Sequence, residues 1–86
     1  MAVSPELMRY LWRGLDLVNF EVIQILPLNK RFAVIVMRDK RPNAFKRWCT
    51  EYAGSGHYFD TFEELQAYCR SRRWPLPELD ADVSNL

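Results

Sequence analysis

The chain is poor in the residues from which reactive sites are most often built. Its 86 residues hold one histidine and two cysteines, Cys49 and Cys69. Two cysteines cannot make the disulfide framework of a small secreted domain, so free thiols in a reducing cytoplasm are expected. No CxxC pair occurs, and a structural zinc site usually takes four ligands, so no metal is expected. Glycine is scarce too, with three residues, and Gly54-Ser55-Gly56 lacks the lysine and following helix of a phosphate-binding loop. It reads as a tight turn. No apolar run approaches the ~20 residues that span a bilayer, and the first residues offer no apolar core behind a basic start. Neither a membrane segment nor a secretion signal is therefore expected.

His57 with Cys49 and Cys69 is the one set that could supply a nucleophile, if the imidazole came within hydrogen-bonding reach of a thiol. Cys69, however, falls on the inner face of a helix, where cysteine behaves as a small apolar residue. His57 stands beside the glycine turn, where exposure is expected. Glu63-Glu64 are explained by a helix start, and Asp80 and Asp82 lie near the C-terminus. No carboxylate pair is held across a cleft, as acid–base hydrolysis requires. A Cys/His-dependent enzyme is the least favoured of three readings, and no cofactor is expected.

What the chain does have is apolar and aromatic surface. Three Trp, five Phe and four Tyr can each bury roughly 150–250 Å², enough for one core in one domain. The most legible stretch runs from Tyr58 to Arg70. Thr61 is placed as an N-cap with Glu64 three residues on, the capping-box spacing. Phe62, Leu65, Tyr68 and Cys69 then share one helical face. Ser4-Pro5-Glu6 reads as a second helix start, with proline where its missing N–H costs nothing. Leu7, Leu11 and Leu15, with Met8 and Trp12, predict a helix over about 5–17.

Residues 20–26 and 31–38 are rich in β-branched and aromatic side chains and flank Pro27-Leu28-Asn29-Lys30, which predicts a β-hairpin. The second of these strands is apolar on both faces and should be central. Residues 44–53 admit two readings. Phe45, Trp48, Cys49 and Tyr52 fit a helix face, but the Trp, Cys, Thr and Tyr content favours a strand. The strand is preferred, with a second hairpin through Gly54-Ser55-Gly56 into the final helix. The expected fold is α+β, a small two-layer sandwich. It has an antiparallel sheet of 3–4 strands, with the N-terminal and C-terminal helices against one face, in the order α-β-β-β(-β)-α. Residues 1–74 would form the domain. Residues 75–86, with prolines and the acids Glu78, Asp80 and Asp82, would form a tail without fixed structure.

The run from Phe45 through Arg70, with its strand, turn, strand and Phe59-Asp60-Thr61-Phe62-Glu63-Glu64-Leu65 phrase, resembles the closing half of AP2-type DNA-binding domains. It is similar as well to the arm-binding domains of tyrosine recombinases. That resemblance implies a three-stranded sheet entering the major groove with a helix behind it, and no residue role is carried over from it. The order of elements also resembles double-stranded RNA-binding domains, but Glu63-Glu64 stand where that family begins its last helix with bases.

The net charge of +1 conceals a basic stretch from 30 to 47, in which seven bases face only Asp39. Lys30, Arg31, Arg38, Lys40, Arg41, Lys46 and Arg47, with Trp48 beside them, form the expected partner-binding face. Phe45, Trp48, Tyr52 and Tyr58 interleave with these bases, and such aromatics can anchor a protein or stack on nucleobases. Nucleic-acid binders that neutralise many phosphates usually carry a larger excess of bases. The expected function is thus a small non-catalytic interaction module that docks an acidic protein surface. A nucleic-acid binder using the same face is the alternative.

Overall fold

The computed structural model describes residues 4–79. Val and Ile carry the first two extended segments and aromatics the next two: β1 (Phe20–Pro27), β2 (Ala33–Asp39), β3 (Trp48–Tyr52) and β4 (Ser55–Phe59) precede one helix, α1 (Phe62–Ser71). Each strand pairs antiparallel with the next, so the sheet order is β1-β2-β3-β4. Of the ambiguous segment 44–53, residues 48–52 are strand. The second hairpin turns one residue earlier than the sequence suggested. Ala53 (φ 50°) and Gly54 (φ 85°) form the two-residue loop, leaving Ser55 and Gly56 inside β4. Two successive positive φ values match the right-handed twist of a tight hairpin. Only Gly54 meets that demand without a Cβ penalty.

Alternation along β2 decides the rest. Val34 and Val36 lie on one face, and Ile35 and Met37 on the other, all but fully buried. Both faces must therefore be covered, and two different structures cover them. On the first face α1 lays down Phe62, Leu65 and Cys69, joined by Trp48, Phe59 and Trp74. A bulge between Val22 and Gln24 re-aims β1. Ile23 and Leu26 thereby join the α1 side, while Val22 and Ile25 serve the other.

On the opposite face the predicted N-terminal helix is replaced by an irregular segment. Only Met8–Tyr10 make a turn of 3-10 helix, and Leu11 is already extended at ψ 139°. The apolar spacing nevertheless achieves its purpose, because Leu7, Tyr10, Leu11 and Leu15 pack on Ile25, Ile35 and Met37. The Tyr10 hydroxyl donates to the Asn29 carbonyl at 2.8 Å, which ties the segment to the first hairpin. Propensity was overridden by the shape of the surface to be covered. The helix expected against the same face as α1 is thus neither a regular helix nor on that face.

The start and stop of α1 follow the sequence closely. The Glu64 amide donates to Thr61 Oγ1 at 3.1 Å, and Phe62, Leu65 and Cys69 are buried. At the other end the Trp74 amide reaches Cys69 O and the Arg73 amide reaches Arg70 O, each at 3.0 Å. With Arg73 at φ 60°, this is the Schellman pattern of bonds, and Trp74 folds back to stack edge-on at 5.6 Å from Tyr68. Beyond it the described part of the C-terminal segment lies against the domain. Gln66 Nε2 donates to Pro77 O at 2.9 Å, and the Glu78 amide donates to Gln24 Oε1 at 3.2 Å. The remainder of the acidic stretch, including Asp80 and Asp82, lies outside the described residues. Among the described residues no helix is long and apolar enough to cross a membrane.

Candidate interaction site

Between β2 and β3 the chain must cross from one strand end to the next, and residues 40–47 do so as a loop built on Asp39. This carboxylate is 5% exposed. It accepts from Arg41 twice, at 2.9 Å from Nε and 2.7 Å from Nη2, and from the Arg41 amide at 3.0 Å. The bidentate guanidinium, working against burial, holds the Asp39 carboxyl down at about 2. Arg47 closes the loop from the other end. Its Nη1 donates to Asp39 O at 2.7 Å and Arg41 O at 3.0 Å, and its Nη2 to Pro42 O at 3.3 Å. A lysine, with a single ammonium in place of the planar guanidinium, could not reproduce that fork. Behind the loop, Asp16 accepts from the Val18 and Asn19 amides at 3.1 and 3.0 Å, and the Lys40 amide donates to Asn19 O at 2.8 Å. These hydrogen bonds to Asn19 keep the Asp16 carboxyl below its ordinary range.

The loop so fixed forms a ridge between two depressions. On one side lies an open groove of about 1170 Å³, floored by Phe20 and Tyr58 and walled by Asp16, Arg41, Phe45, Lys46 and Asp60. Phe45 projects from the ridge with 90% of its surface exposed. On the other side a cleft of about 460 Å³ is lined by Arg38, Lys40 and Arg47 against Glu21 and Asp39. Neither Lys40 nor Lys46 makes an ion pair among the described residues.

The basic stretch read from the sequence is therefore divided. Arg38, Lys40, Arg41, Lys46 and Arg47 gather at one end of the sheet. Lys30 and Arg31 sit in the turn at the other end, about 20 Å away along β2. Arg31 there lines a separate depression with Arg9, Tyr10 and Trp12. Arg38 is bound to Glu21 and stands 5.9 Å from the Trp48 ring. Trp48 itself packs edge-on at 5.0 Å against Phe62, on the α1 side. It is partly buried against the core on that side, away from the exposed Phe45. Phe20, Tyr58, Asp16 and Phe45 complete the groove; Phe45 and Tyr58 are among the aromatics that interleave with the bases in the sequence, whereas Phe20 and Asp16 were not expected there.

The thiols have no such setting. Cys49 Sγ lies 3.6 Å from Thr50 O and 3.7 Å from Glu51 Oε2, and burial with the Glu51 charge pushes its thiol up to about 12. Burial alone raises Cys69. The His57 ring stacks at 4.8 Å on Tyr68 instead of meeting a sulfur. Among the described residues no group of His, Cys, Asp and Glu is arranged to hold a metal ion.

The face that a three-stranded DNA-reading sheet would present is occupied here. With α1 behind the sheet, the opposite face is buried under Leu7, Tyr10, Leu11 and Leu15. Comparison with known proteins finds no match to this chain among protein-family models, curated proteins or solved structures.

Proposed function

We propose that the chain is a small non-catalytic interaction module that docks an acidic protein segment across the ridge of residues 40–47. The observation that carries this reading is Phe45, 90% exposed on a loop held by the Asp39, Arg41 and Arg47 hydrogen bonds. A large aromatic side chain held in water is a ready anchor, because an interface can bury it at little ordering cost. Lys46 on one flank and Lys40 on the other supply the charge that selects the partner. Of the three carboxylates lining the groove, Asp39 is engaged by Arg41 and Asp16 by backbone amides, which leaves Asp60 as the one that opposes an acidic partner. The partner fits as an apolar side chain flanked by carboxylates. The apolar group would enter the groove over Phe20 and Tyr58, and the carboxylates would meet the lysines.

The nucleic-acid reading uses the same ridge, without the sheet face. Binding to a labelled acidic peptide carrying one leucine or phenylalanine, and to single-stranded and duplex oligonucleotides, separates the two across a salt series. The proposal expects peptide binding with a shallow salt dependence, because two lysines release few counterions. Oligonucleotide binding with a steep salt slope, without peptide binding, would replace it with the alternative.

A further inference from the structure

The two edges of the sheet are finished differently. The β1 edge carries the bulge at Ile23, ends in Pro27 and is held at Gln24 by the Glu78 amide. These are the devices that keep an edge from pairing. β4 has none of them. Its residues Ser55-Gly56-His57-Tyr58-Phe59 include no proline, lysine or bulge, and the first four are exposed.

The unpaired groups of β4 follow from its turn. A two-residue hairpin loop makes Tyr52 and Ser55 a hydrogen-bonded pair, and alternation then makes Thr50–His57 and Trp48–Phe59 the next such pairs. The backbone N–H and C=O of Gly56 and Tyr58 point outward. An antiparallel strand centred on His57 would meet all four of these groups.

We propose that this strand is β4 of a second copy of the chain, paired about a two-fold axis through His57 to give a continuous eight-stranded sheet. Self-pairing sets His57 opposite the partner's His57 on the axis, Tyr58 opposite the partner's Gly56 and Phe59 opposite the partner's Ser55, so off the axis each large side chain meets a small one. The helices support the same axis. α1 lies over β3 and β4, so the pairing separates the two helix axes by about two strand spacings, roughly 9.5 Å. That falls within the roughly 8–10 Å at which helices pack. Tyr68 stacks on His57 and so lies near the axis. Glu64 and Arg72 stand four residues to either side of it, toward the same edge. The two-fold opposes Glu64 of each copy to the partner's Arg72, and Arg72 has no carboxylate among the described residues, only the Trp74 ring at 5.4 Å. The centre is thus aromatic, the flanks are oppositely charged, and no like charges face each other at the helix positions named.

Sedimentation equilibrium on the wild type and on Glu64→Arg, Arg72→Glu and the double exchange tests the pairing, with circular dichroism to verify the fold of each. The wild type should dimerise. Each single reversal should weaken the dimer by about tenfold or more, and the double exchange should restore it. Tyr58→Pro removes an outward N–H while sparing the β3 ladder, and should give a folded monomer. A wild type that stays monomeric at millimolar concentration overturns the proposal and leaves the edge to an extended segment of another protein. A dimer indifferent to both reversals and to Tyr58→Pro overturns it equally.

Discussion

On the inner side of the 39–47 connection, Arg41 and Arg47 meet a buried carboxylate and three backbone carbonyls. On the outer side, Lys40 and Lys46 meet solvent beside Phe45. The charges have the same sign and lie within a few residues of one another, yet their uses are opposite. The planar guanidinium can satisfy several fixed oxygens at once, so arginine suits the construction of a loop. The ammonium is a hydrated point charge on a long stem and suits its rim. A run of bases in a sequence is therefore not one surface. Part of it makes the surface that the other part stands on.

The sharpest way to break this division is at Arg47. Replacing Arg47 with alanine leaves the Asp39, Arg41 and Pro42 carbonyls without their shared donor and should cost about 1–3 kcal/mol. Urea unfolding measures the loss. Arg47→Lys should recover little of it, since one ammonium cannot span the three acceptors. A full recovery by lysine would mean that charge, and not the fork, holds the loop.

A smaller effect is expected at Asp39, and its pH dependence carries the sign. The folded-state value of about 2 lies below the ordinary 3.8. The carboxylate therefore contributes stability that is complete above 3.8 and disappears as the pH falls toward about 2. Asp39→Asn should be less stable than the wild type at neutral pH, and the gap should close across that acid window. Unfolding free energies taken at stepped pH would show it. A gap that closes on the alkaline side instead would assign the stabilisation to a different group.

The smallest effect on stability, and the largest on binding, should come from the outer side. Phe45→Ala and the pair Lys40→Glu with Lys46→Glu remove exposed groups that make no ion pair, and should change stability by no more than about 0.5 kcal/mol. Thermal unfolding of the three proteins would test this directly. A large loss in either variant would place these residues among the builders of the loop.

Much of the scaffold was legible because its signals are local. Thr61 and Glu64 cap α1 within one turn, and the unbroken apolar run of β2 marked it as an inner strand of the sheet. The cover of the second face was not legible. Leu7, Leu11 and Leu15 have helical spacing, but the segment had to follow a twisted sheet, and Leu11 and Gly14 leave helical geometry. The hairpin turn was displaced by one residue because Ala53 adopts a positive φ, which its side chain gives no hint of. The site was the least legible part. Its floor joins Phe20 to Tyr58, rings 6.2 Å apart that come from opposite ends of the fold, and the arginines' partners are mostly backbone carbonyls. No spacing in the chain encodes such contacts.

The claim that an arginine-built ridge presents Phe45 to an acidic segment is tested most directly by selecting binders from a random displayed-peptide library. The selection would be run in parallel on the wild type, on Phe45→Ala and on Lys40→Glu with Lys46→Glu. The wild type should enrich peptides with an apolar residue flanked by Asp or Glu, and both variants should lose that enrichment while remaining folded. Enrichment without acidic bias, or one that survives removal of the Phe45 ring, would contradict the account.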